Sequence, residues 1–263
     1  MPRFDPHPDR RPALITGASS GIGAATAQAL AAAGHPVILT ARRVDRLEEL
    51  AAKLVADGAE ATAIALDLTD DASIDACATE AAERLGPIDV VVANAGQISS
   101  STALASDPDE FARLVQINLL GTQRLLARLG PAMVERGHGD LVLVSSDVVV
   151  RPRPHMAAYV AAKAGVEGLA AAMRMELEGT GVRIGMVRPG PSSTEQGTDW
   201  SEETVLHIIP VWERWGLLRH DGALLPTNVA DAIVAMVSAP KGTHLTLIEV
   251  QPEAPVTPDR SHR

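Results

Sequence analysis

The chain has 263 residues, a net charge of −10 at pH 7 and a sequence pI near 5.2, and this acidic balance argues against a nucleic-acid partner. Neither a signal-peptide core nor a run of about 20 apolar residues is present, so we expect a cytoplasmic protein with no membrane partner. Cys77 is the only cysteine, which excludes an internal disulfide, and no metal site is predicted.

Short apolar runs alternate with helical patterns along the chain. Strands are predicted at 13–16, 36–41, 61–66, 88–93, 140–145, 182–187 and 244–250, and helices at 22–33, 44–56, 71–85, 108–135, 157–178 and 227–238. Repeated strand–helix units with nearly continuous apolar strands indicate a parallel sheet covered on both faces. We therefore predict an α/β fold: one doubly wound domain over residues 12–252 with a mostly parallel, seven-stranded sheet. Residues 1–11 are predicted to be a flexible leader and residues 253–263 a flexible tail.

A glycine-rich run, TGASSGIG at residues 16–23, follows the first predicted strand and opens the first predicted helix. Gly17, Gly21 and Gly23 permit a tight turn and let the backbone approach a phosphate closely. The amino end of the following helix favours an anion. The run therefore predicts a nucleotide-binding loop, with a plain turn as the alternative.

The only tyrosine, Tyr159, lies four residues before Lys163, which is one of three lysines in the chain. In a helix these two positions lie on one face, one turn apart. A nearby cation stabilises a phenolate and lowers the tyrosine pKa from its usual value near 10. The pair predicts an acid–base centre in which the Tyr159 pKa is lowered, and a surface pair without a chemical role is the alternative.

Further motifs follow the strand ends in an order that resembles a known family. The sequence ANAG at 93–96 follows the fourth predicted strand, Ser146 lies thirteen residues before Tyr159, and PGPSST occupies 189–194. Together with the glycine-rich run and the Tyr-x-x-x-Lys pair, these motifs resemble the short-chain dehydrogenase/reductase family, from about residue 12 to residue 190. The resemblance implies a Rossmann-like, NADP-binding domain.

The same resemblance implies a catalytic set and a cofactor site. The catalytic set is Asn118, Ser146, Tyr159 and Lys163. The cofactor site is Gly17, Ser19, Ser20, Gly21, Ile22, Gly23, Asp67, Asn94, Gly96, Pro189, Gly190 and Thr194, together with Tyr159 and Lys163. The activity implied is hydride transfer between NADP(H) and a small alcohol or carbonyl substrate, with Tyr159 as the acid and base.

Several of these residues also have an ordinary structural interpretation. Asn94 and Gly96 could form a turn, Asp67 could be the N-terminal residue of the next helix, and Asn118 could be hydrogen-bonded within its own helix. Ser145 could carry the active hydroxyl in place of Ser146, although strand alternation turns adjacent side chains to opposite faces.

The second predicted strand ends in TARR, which bears on the choice of cofactor. An acidic residue at this point commonly holds a 2′,3′-diol ribose, whereas arginine suits a 2′-phosphate. Ala41 stands where NAD-preferring relatives carry aspartate, and Arg42 and Arg43 follow it. NADP(H) is therefore predicted in preference to NAD(H), and a solvated arginine pair at a helix start is the alternative.

Residues 195–225 contain all three tryptophans, Trp200, Trp212 and Trp215, and are predicted to form an amphipathic segment that covers the substrate. A helix packed on the core or on a partner subunit is the alternative. The preceding segment 147–156 is expected to border the substrate. Its arginines, Arg151 and Arg153, are interpreted as solvated loop residues, with attraction of an acidic group as the alternative. His155 is interpreted as a loop histidine and not as a catalytic base.

A different class of function stays open at this point: an NADP-binding regulatory protein that has lost turnover. An NADP-linked epimerase or dehydratase on the same fold is a further alternative. The carboxyl-terminal sequence departs from a pattern common in the family, which puts the family's usual tetramer contacts through the last strand in doubt. A homodimer or homotetramer built from the helices predicted at 108–135 and 157–178 is still expected.

Overall fold

The computed structural model describes residues 5–196, 200–218 and 220–255, and this part of the chain forms a seven-stranded, all-parallel sheet. The order of the strands is β3-β2-β1-β4-β5-β6-β7, so the predicted doubly wound α/β fold is confirmed. The strands are β1 Ala13–Thr16, β2 Val37–Ala41, β3 Ala61–Ala65, β4 Val90–Ala93, β5 Gly139–Val144, β6 Val182–Pro189 and β7 Ile248–Val250.

Helices cover both faces of this sheet. They are α1 Gly21–Ala32, α2 Val44–Ala56, α3 Asp71–Leu85, α4 Pro108–Val115, α5 Gly121–Arg136, α6 Ala157–Glu176, α7 Glu202–Arg214 and α8 Pro226–Val237. Along β1, Leu14 packs toward α3, α5 and α6, whereas its neighbour Ile15 packs toward α1, α2 and α8. Both faces of the strand are buried, which explains why its sequence is apolar without alternation. In the described part of the chain, no helix combines the length and apolar character that a membrane crossing requires.

The single helix predicted over 108–135 is interrupted. A π-helical turn, Gln116–Leu120, separates α4 from α5. At Gly121, the first residue of α5, an added Cβ would lie 2.2 Å from the carbonyl oxygen of Leu68, which follows β3. The helix therefore approaches the backbone beyond β3 more closely than any side chain would allow, and this contact with a distant element was not visible in the helical pattern.

The last strand is shorter than the predicted 244–250. His244 lies beside β6, where its Nε2 atom is 2.9 Å from the carbonyl oxygen of Ile184 and 3.1 Å from the amide nitrogen of the same residue. The imidazole therefore takes the place of backbone partners at this point of the sheet. Regular pairing of β7 with β6 begins only at Ile248, opposite Val187.

The described end of the predicted leader packs against the domain. Arg11 is buried and forms ion pairs with the carboxylates of Asp89 and Asp140, and it donates a hydrogen bond of 2.9 Å to the carbonyl oxygen of Val237. Arg183 adds a second cation on Asp140. The folded unit thus includes Arg11, one residue before the predicted start of the domain. Of the predicted tail, residues 256–263 lie outside the described residues.

Replacing Arg11 with methionine is expected to lower the free energy of unfolding by about 3–5 kcal/mol, because it leaves buried carboxylates with less compensation. The neighbouring Arg10→Met variant is the matched control. Arg10 pairs with Glu60, and both side chains are about half exposed, so its loss is expected to change stability by about 1 kcal/mol or less. Urea unfolding measures both values, and equal effects of the two variants would contradict the role given to Arg11.

Candidate active site

One cavity of 1190 Å³ opens beyond the carboxyl ends of the strands, where open α/β sheets bind ligands. It brings together nearly all of the predicted site residues. Those that line it are Gly17, Ser19, Ser20, Gly21, Ile22, Arg42, Arg43, Asp67, Asn94, Gly96, Ser146, Tyr159, Lys163, Pro189, Gly190 and Thr194. Gly23 and Asn118 lie behind the wall and act on the cavity through their neighbours, as the following contacts show.

The glycine-rich loop has the geometry that a phosphate requires. Gly17 and Gly21 have φ values of +70° and +54°, in the left-handed region that favours glycine. At Gly23 an added Cβ would lie 2.3 Å from the carbonyl oxygen of Gly17, so α1 starts in direct contact with the preceding turn. The loop leaves backbone amides and a helix N-terminus open to the cavity, which fits a dinucleotide pyrophosphate.

Asn94 braces this loop from the end of β4. Its Nδ2 atom donates a hydrogen bond of 2.9 Å to the carbonyl oxygen of Thr16, and its backbone amide donates one of 3.0 Å to Thr16 Oγ1. Thr16 Oγ1 also accepts a 2.9 Å hydrogen bond from the amide of Ala95. The ANAG segment is therefore more than a turn, because it fixes the strand end from which the glycine-rich loop departs.

Asp67 follows β3 and faces the cavity. Its Oδ1 atom accepts hydrogen bonds of 2.9 and 2.7 Å from the amide and the hydroxyl of Thr69, and these bonds lower the Asp67 pKa below its usual value. The cap of α3 is a different residue, Asp70, which accepts a 3.0 Å hydrogen bond from the amide of Ala72. Asp67 is thus available at the edge of the cavity as an anionic acceptor.

Arg43 ties the start of α2 to the glycine-rich loop. Its guanidinium donates hydrogen bonds of 3.0 and 3.1 Å to Ser19 Oγ and one of 2.7 Å to Ser20 Oγ. A further bond of 2.8 Å reaches the carboxylate of Glu195, in the loop that follows β6. Arg42 is exposed at the mouth of the cavity, close enough to Asp67 to lower the pKa of that carboxyl further. The solvated-pair alternative therefore does not describe Arg43.

The two serines after β5 point in opposite directions, as strand alternation predicts. Ser145 Oγ donates a hydrogen bond of 2.7 Å to Glu167 on α6, and Glu167 in turn pairs with Arg188. Ser146 instead lines the cavity beside Tyr159, and its hydroxyl lowers the Tyr159 pKa. Ser146 Oγ also accepts a 3.4 Å hydrogen bond from the amide of Val148.

Tyr159 and Lys163 lie one turn apart on α6 and are both buried, with only 7% and 3% of their surfaces exposed. The Lys163 ammonium donates a hydrogen bond of 2.7 Å to the carbonyl oxygen of Val144, the last residue of β5. Its Nζ atom is 5.7 Å from the centre of the Tyr159 ring. The surface-pair alternative is therefore wrong for this helix face.

The predicted lowering of the Tyr159 pKa is not what the site shows. Burial raises the Tyr159 pKa to about 12, and the nearby Ser146 hydroxyl opposes that rise only in part. Burial also lowers the Lys163 pKa to about 8, because desolvation disfavours the charged form of each group. At neutral pH the phenol is protonated and most of the lysine is charged.

Asn118 sits in the π-helical turn between α4 and α5. Its Nδ2 atom donates hydrogen bonds of 2.8 Å to the Leu114 carbonyl and 2.9 Å to the Gln97 carbonyl, and its Oδ1 atom accepts one of 3.1 Å from the Gln97 amide. At Gly96, an added Cβ would lie 2.5 Å from Asn118 Oδ1 and 3.6 Å from Lys163 Nζ. Asn118 therefore holds the loop beside Lys163, in addition to bonding within its own helix.

Helix α7 covers the active-site tyrosine. Ile208 and Trp212 pack with Val148, Met156 and Tyr159 in one buried apolar cluster. Trp212 Nε1 donates a hydrogen bond of 2.9 Å to the carbonyl oxygen of Pro154. Trp200 joins the cluster edge-on to Trp212, with the ring centroids 6.2 Å apart, whereas Trp215 is 70% exposed and takes no part in it.

Asp147 and Arg153 form an ion pair in the cavity wall that the sequence did not reveal. The two guanidinium nitrogens donate bonds of 2.8 and 2.7 Å to the two carboxylate oxygens, and both side chains are more than nine-tenths buried. Arg153 also lies over the Trp212 ring at 5.8 Å. The interpretation of Arg153 as a solvated loop residue is therefore wrong, because folding of α7 buries it. The sequence feature that could have indicated this ion pair is the acidic residue Asp147 directly after Ser146.

The other two residues singled out in the segment 147–156, Arg151 and His155, are loop residues. Arg151 is exposed. His155 has a φ of +65° and contacts His207 of α7 edge-on, with the ring centroids 5.1 Å apart. Among the described residues, no group of three or more histidine, cysteine, aspartate or glutamate side chains is placed to hold a metal ion.

Comparison with known proteins identifies the family. The family model for short chain dehydrogenases matches residues 11–204, well over half of the chain. The chain therefore belongs to the short-chain dehydrogenase/reductase family. It is an NAD(P)-dependent oxidoreductase of that family, acting on small molecules.

Individual relatives and solved structures agree with this assignment. A glycine betaine reductase from Emericella nidulans, ATRR, is 36% identical over 241 residues, a match that covers 91% of this chain but only 18% of the fungal protein. The structure of an alcohol dehydrogenase from Thermococcus sibiricus, complexed with 5-hydroxy-NADP, is similar with a TM-score of 0.81 and 30% identity, covering 95% of this chain and 100% of that one. A metagenomic short-chain oxidoreductase in complex with NADP has a TM-score of 0.78 and 30% identity, covering 92% of this chain and 97% of that one.

Proposed function

We propose that the protein transfers hydride between NADP(H) and a small alcohol or carbonyl compound, with Tyr159 as the acid and base. The observation that carries the proposal is the position of the Tyr159 hydroxyl. The hydroxyl lies close enough to Ser146 for that serine to lower the Tyr159 pKa, and both residues line a cavity that also holds the glycine-rich loop. The nicotinamide cofactor supplies the hydride when it is bound. The left-handed glycines and the close contact of Gly23 with Gly17 are consistent with its pyrophosphate.

In the reducing direction, Tyr159 gives its proton to the oxygen of the substrate as negative charge develops there. Ser146 donates a hydrogen bond to the same oxygen and sets its position within reach of the phenol. Because burial raises the Tyr159 pKa to about 12, the phenol carries its proton at neutral pH. Lys163, charged at neutral pH, stabilises the phenolate that remains after the proton has left.

The walls around Tyr159 suit a carbonyl carried on an apolar group. Val148, Met156, Trp212 and Leu218 line this end of the cavity, and the Asp147–Arg153 pair presents no net charge. An alcohol dehydrogenase and a glycine betaine reductase are among the similar proteins, which supports alcohol and carbonyl chemistry as the class.

No observation favours the regulatory protein or the epimerase over this proposal. A damaged catalytic set would be expected of a regulatory protein, whereas Asn118, Ser146, Tyr159 and Lys163 are all present. The coverage of the substrate by residues 195–225, the cytoplasmic location and the homodimer or homotetramer stay predictions.

The proposed preference for NADP(H) rests on Arg42 and Arg43 and on the absence of an acidic residue at Ala41. We expect kcat/KM for NADPH to exceed that for NADH by at least about tenfold, because a charge-assisted bond to the 2′-phosphate contributes about 1.5–3 kcal/mol. Arg42→Ala is expected to reduce this ratio, and Arg151→Ala, which removes an exposed arginine elsewhere, is expected to leave it unchanged. A wild-type preference for NADH would contradict the proposal.

Replacing Tyr159 with phenylalanine removes the transferable proton and keeps the ring. We expect kcat to fall by at least about 10²-fold while the Kd of NADPH changes little. Carbonyl reduction followed through NADPH consumption measures kcat, and calorimetric titration measures the Kd.

The adjacent serines provide matched controls for this experiment. Ser146→Ala removes the hydroxyl proposed to position the substrate oxygen beside Tyr159 and is expected to lower kcat by about 10²-fold. Ser145→Ala removes a bond to Glu167 on the other side of the strand and is expected to leave kcat within about threefold of the wild type. Near-normal turnover of Tyr159→Phe, or equal losses for the two serine variants, would contradict the proposed mechanism.

A further inference from the structure

The loop that follows β6 is joined to the start of α2 by a carboxylate bound between two arginines. Glu195 Oε2 accepts a bond of 2.8 Å from Arg43, and Glu195 Oε1 accepts one of 2.7 Å from Arg46. The three side chains are each about half exposed. These bonds lower the Glu195 pKa to about 2, with the Arg43 bond as the largest cause, so the carboxylate is ionised at neutral pH.

This contact lies at the nucleotide end of the cavity. Arg43 bonds the hydroxyls of Ser19 and Ser20 in the glycine-rich loop with the same guanidinium that it extends to Glu195. Next to Glu195, the side chain of Thr194 lies 3.3 Å from the position of an added Cβ on Gly21. Glu195 itself lines the cavity. The Glu195 carboxylate, which comes from the far side of the cleft, is thus bonded to Arg43 beside the glycine-rich loop and to Arg46.

We propose that Glu195 competes with the 2′-phosphate of the cofactor for Arg43 and Arg46, and so limits the preference of the enzyme for NADPH over NADH. The proposal rests on the proposed use of NADP(H). Carboxylate and phosphate offer guanidinium the same kind of paired oxygen acceptors, so one group can replace the other. A phosphate that enters while Glu195 stays in place meets a like charge across the same two arginines.

Arg46 joins Arg43 in binding Glu195, although it does not line the cavity and no motif indicated it. It lies within the run ARRVDR at 41–46, one turn of α2 beyond Arg43. The spacing brings both guanidiniums to one side of the helix start, where Glu195 bridges them. The 2′-phosphate of the cofactor can bind both Arg43 and Arg46 only after the Glu195 carboxylate has moved away or lost its charge.

The test uses Glu195→Gln in the full chain and measures Kd by calorimetric titration with NADPH, NADH and adenosine 2′,5′-bisphosphate. The variant keeps the size and a hydrogen-bond acceptor and removes the charge. We expect the Kd values of NADPH and of the bisphosphate to fall by about fivefold or more, and that of NADH to stay within about twofold. High salt is expected to shrink the gain, because the charges are partly exposed.

Glu202→Gln is the matched control, since Glu202 is an exposed carboxylate in the first turn of α7 and lines no part of the cavity. It removes the same net charge and is expected to leave all three Kd values unchanged. An unaltered NADPH to NADH ratio in Glu195→Gln would overturn the proposal, and so would weaker binding of both cofactors.

Measurements on the wild-type protein distinguish a failure of the Glu195 proposal from a failure of the proposed use of NADP(H). If wild type prefers NADH in turnover while Glu195→Gln still binds the bisphosphate more tightly, the assignment of NADP(H) fails and the competition stands. If wild type prefers NADPH and Glu195→Gln leaves the bisphosphate Kd unchanged, the assignment stands and the competition fails.

Discussion

The burial of a phenol and an ammonium group side by side on α6 is the constraint on which the active site depends. Desolvation raises the pKa of Tyr159 and lowers that of Lys163, so each group is held toward its neutral form. The Val144 carbonyl at the end of β5 binds the ammonium, and Ser146, two residues further on, lies near the phenol and lowers its pKa. A strand end and a helix face therefore fix both groups, and α7 keeps water from the tyrosine through Ile208 and Trp212.

The all-parallel sheet brings the glycine-rich loop and the Tyr159–Lys163 pair to the same edge, where both line one cavity. Thr16 at the end of β1 and Asn94 after β4 are joined by hydrogen bonds, and this junction sets the direction of the glycine-rich loop. Across the cleft, the loop after β6 reaches back to that loop through Glu195 and Arg43. Arg43 therefore links the loop after β6 to the glycine-rich loop, through one ion pair and bonds to two serines.

The sequence predicts the parts of the structure that local rules govern. The glycine spacing, the helical offset of Tyr159 and Lys163 and the alternation of Ser145 and Ser146 each follow from backbone geometry over a few residues. The parts that it does not predict depend on contacts between distant residues. Glu195 and Arg43 are 152 residues apart, and Arg11 and Asp140 are 129 apart, so no local pattern brings them together. The π-helical break before Gly121 and the raised pKa of Tyr159 likewise depend on packing against other elements. Neither follows from the local sequence of the helix that contains it.

The most direct test of the account is a titration of the single tyrosine by its ultraviolet phenolate absorbance, since any such signal comes from Tyr159 alone. The same chain in denaturant provides the reference and is expected to titrate near pH 10. The account predicts that the folded, cofactor-free protein forms phenolate only at a pH above this reference, toward about 12. A folded-state midpoint below that of the denatured chain would contradict it, and would show that the charge of Lys163 outweighs burial.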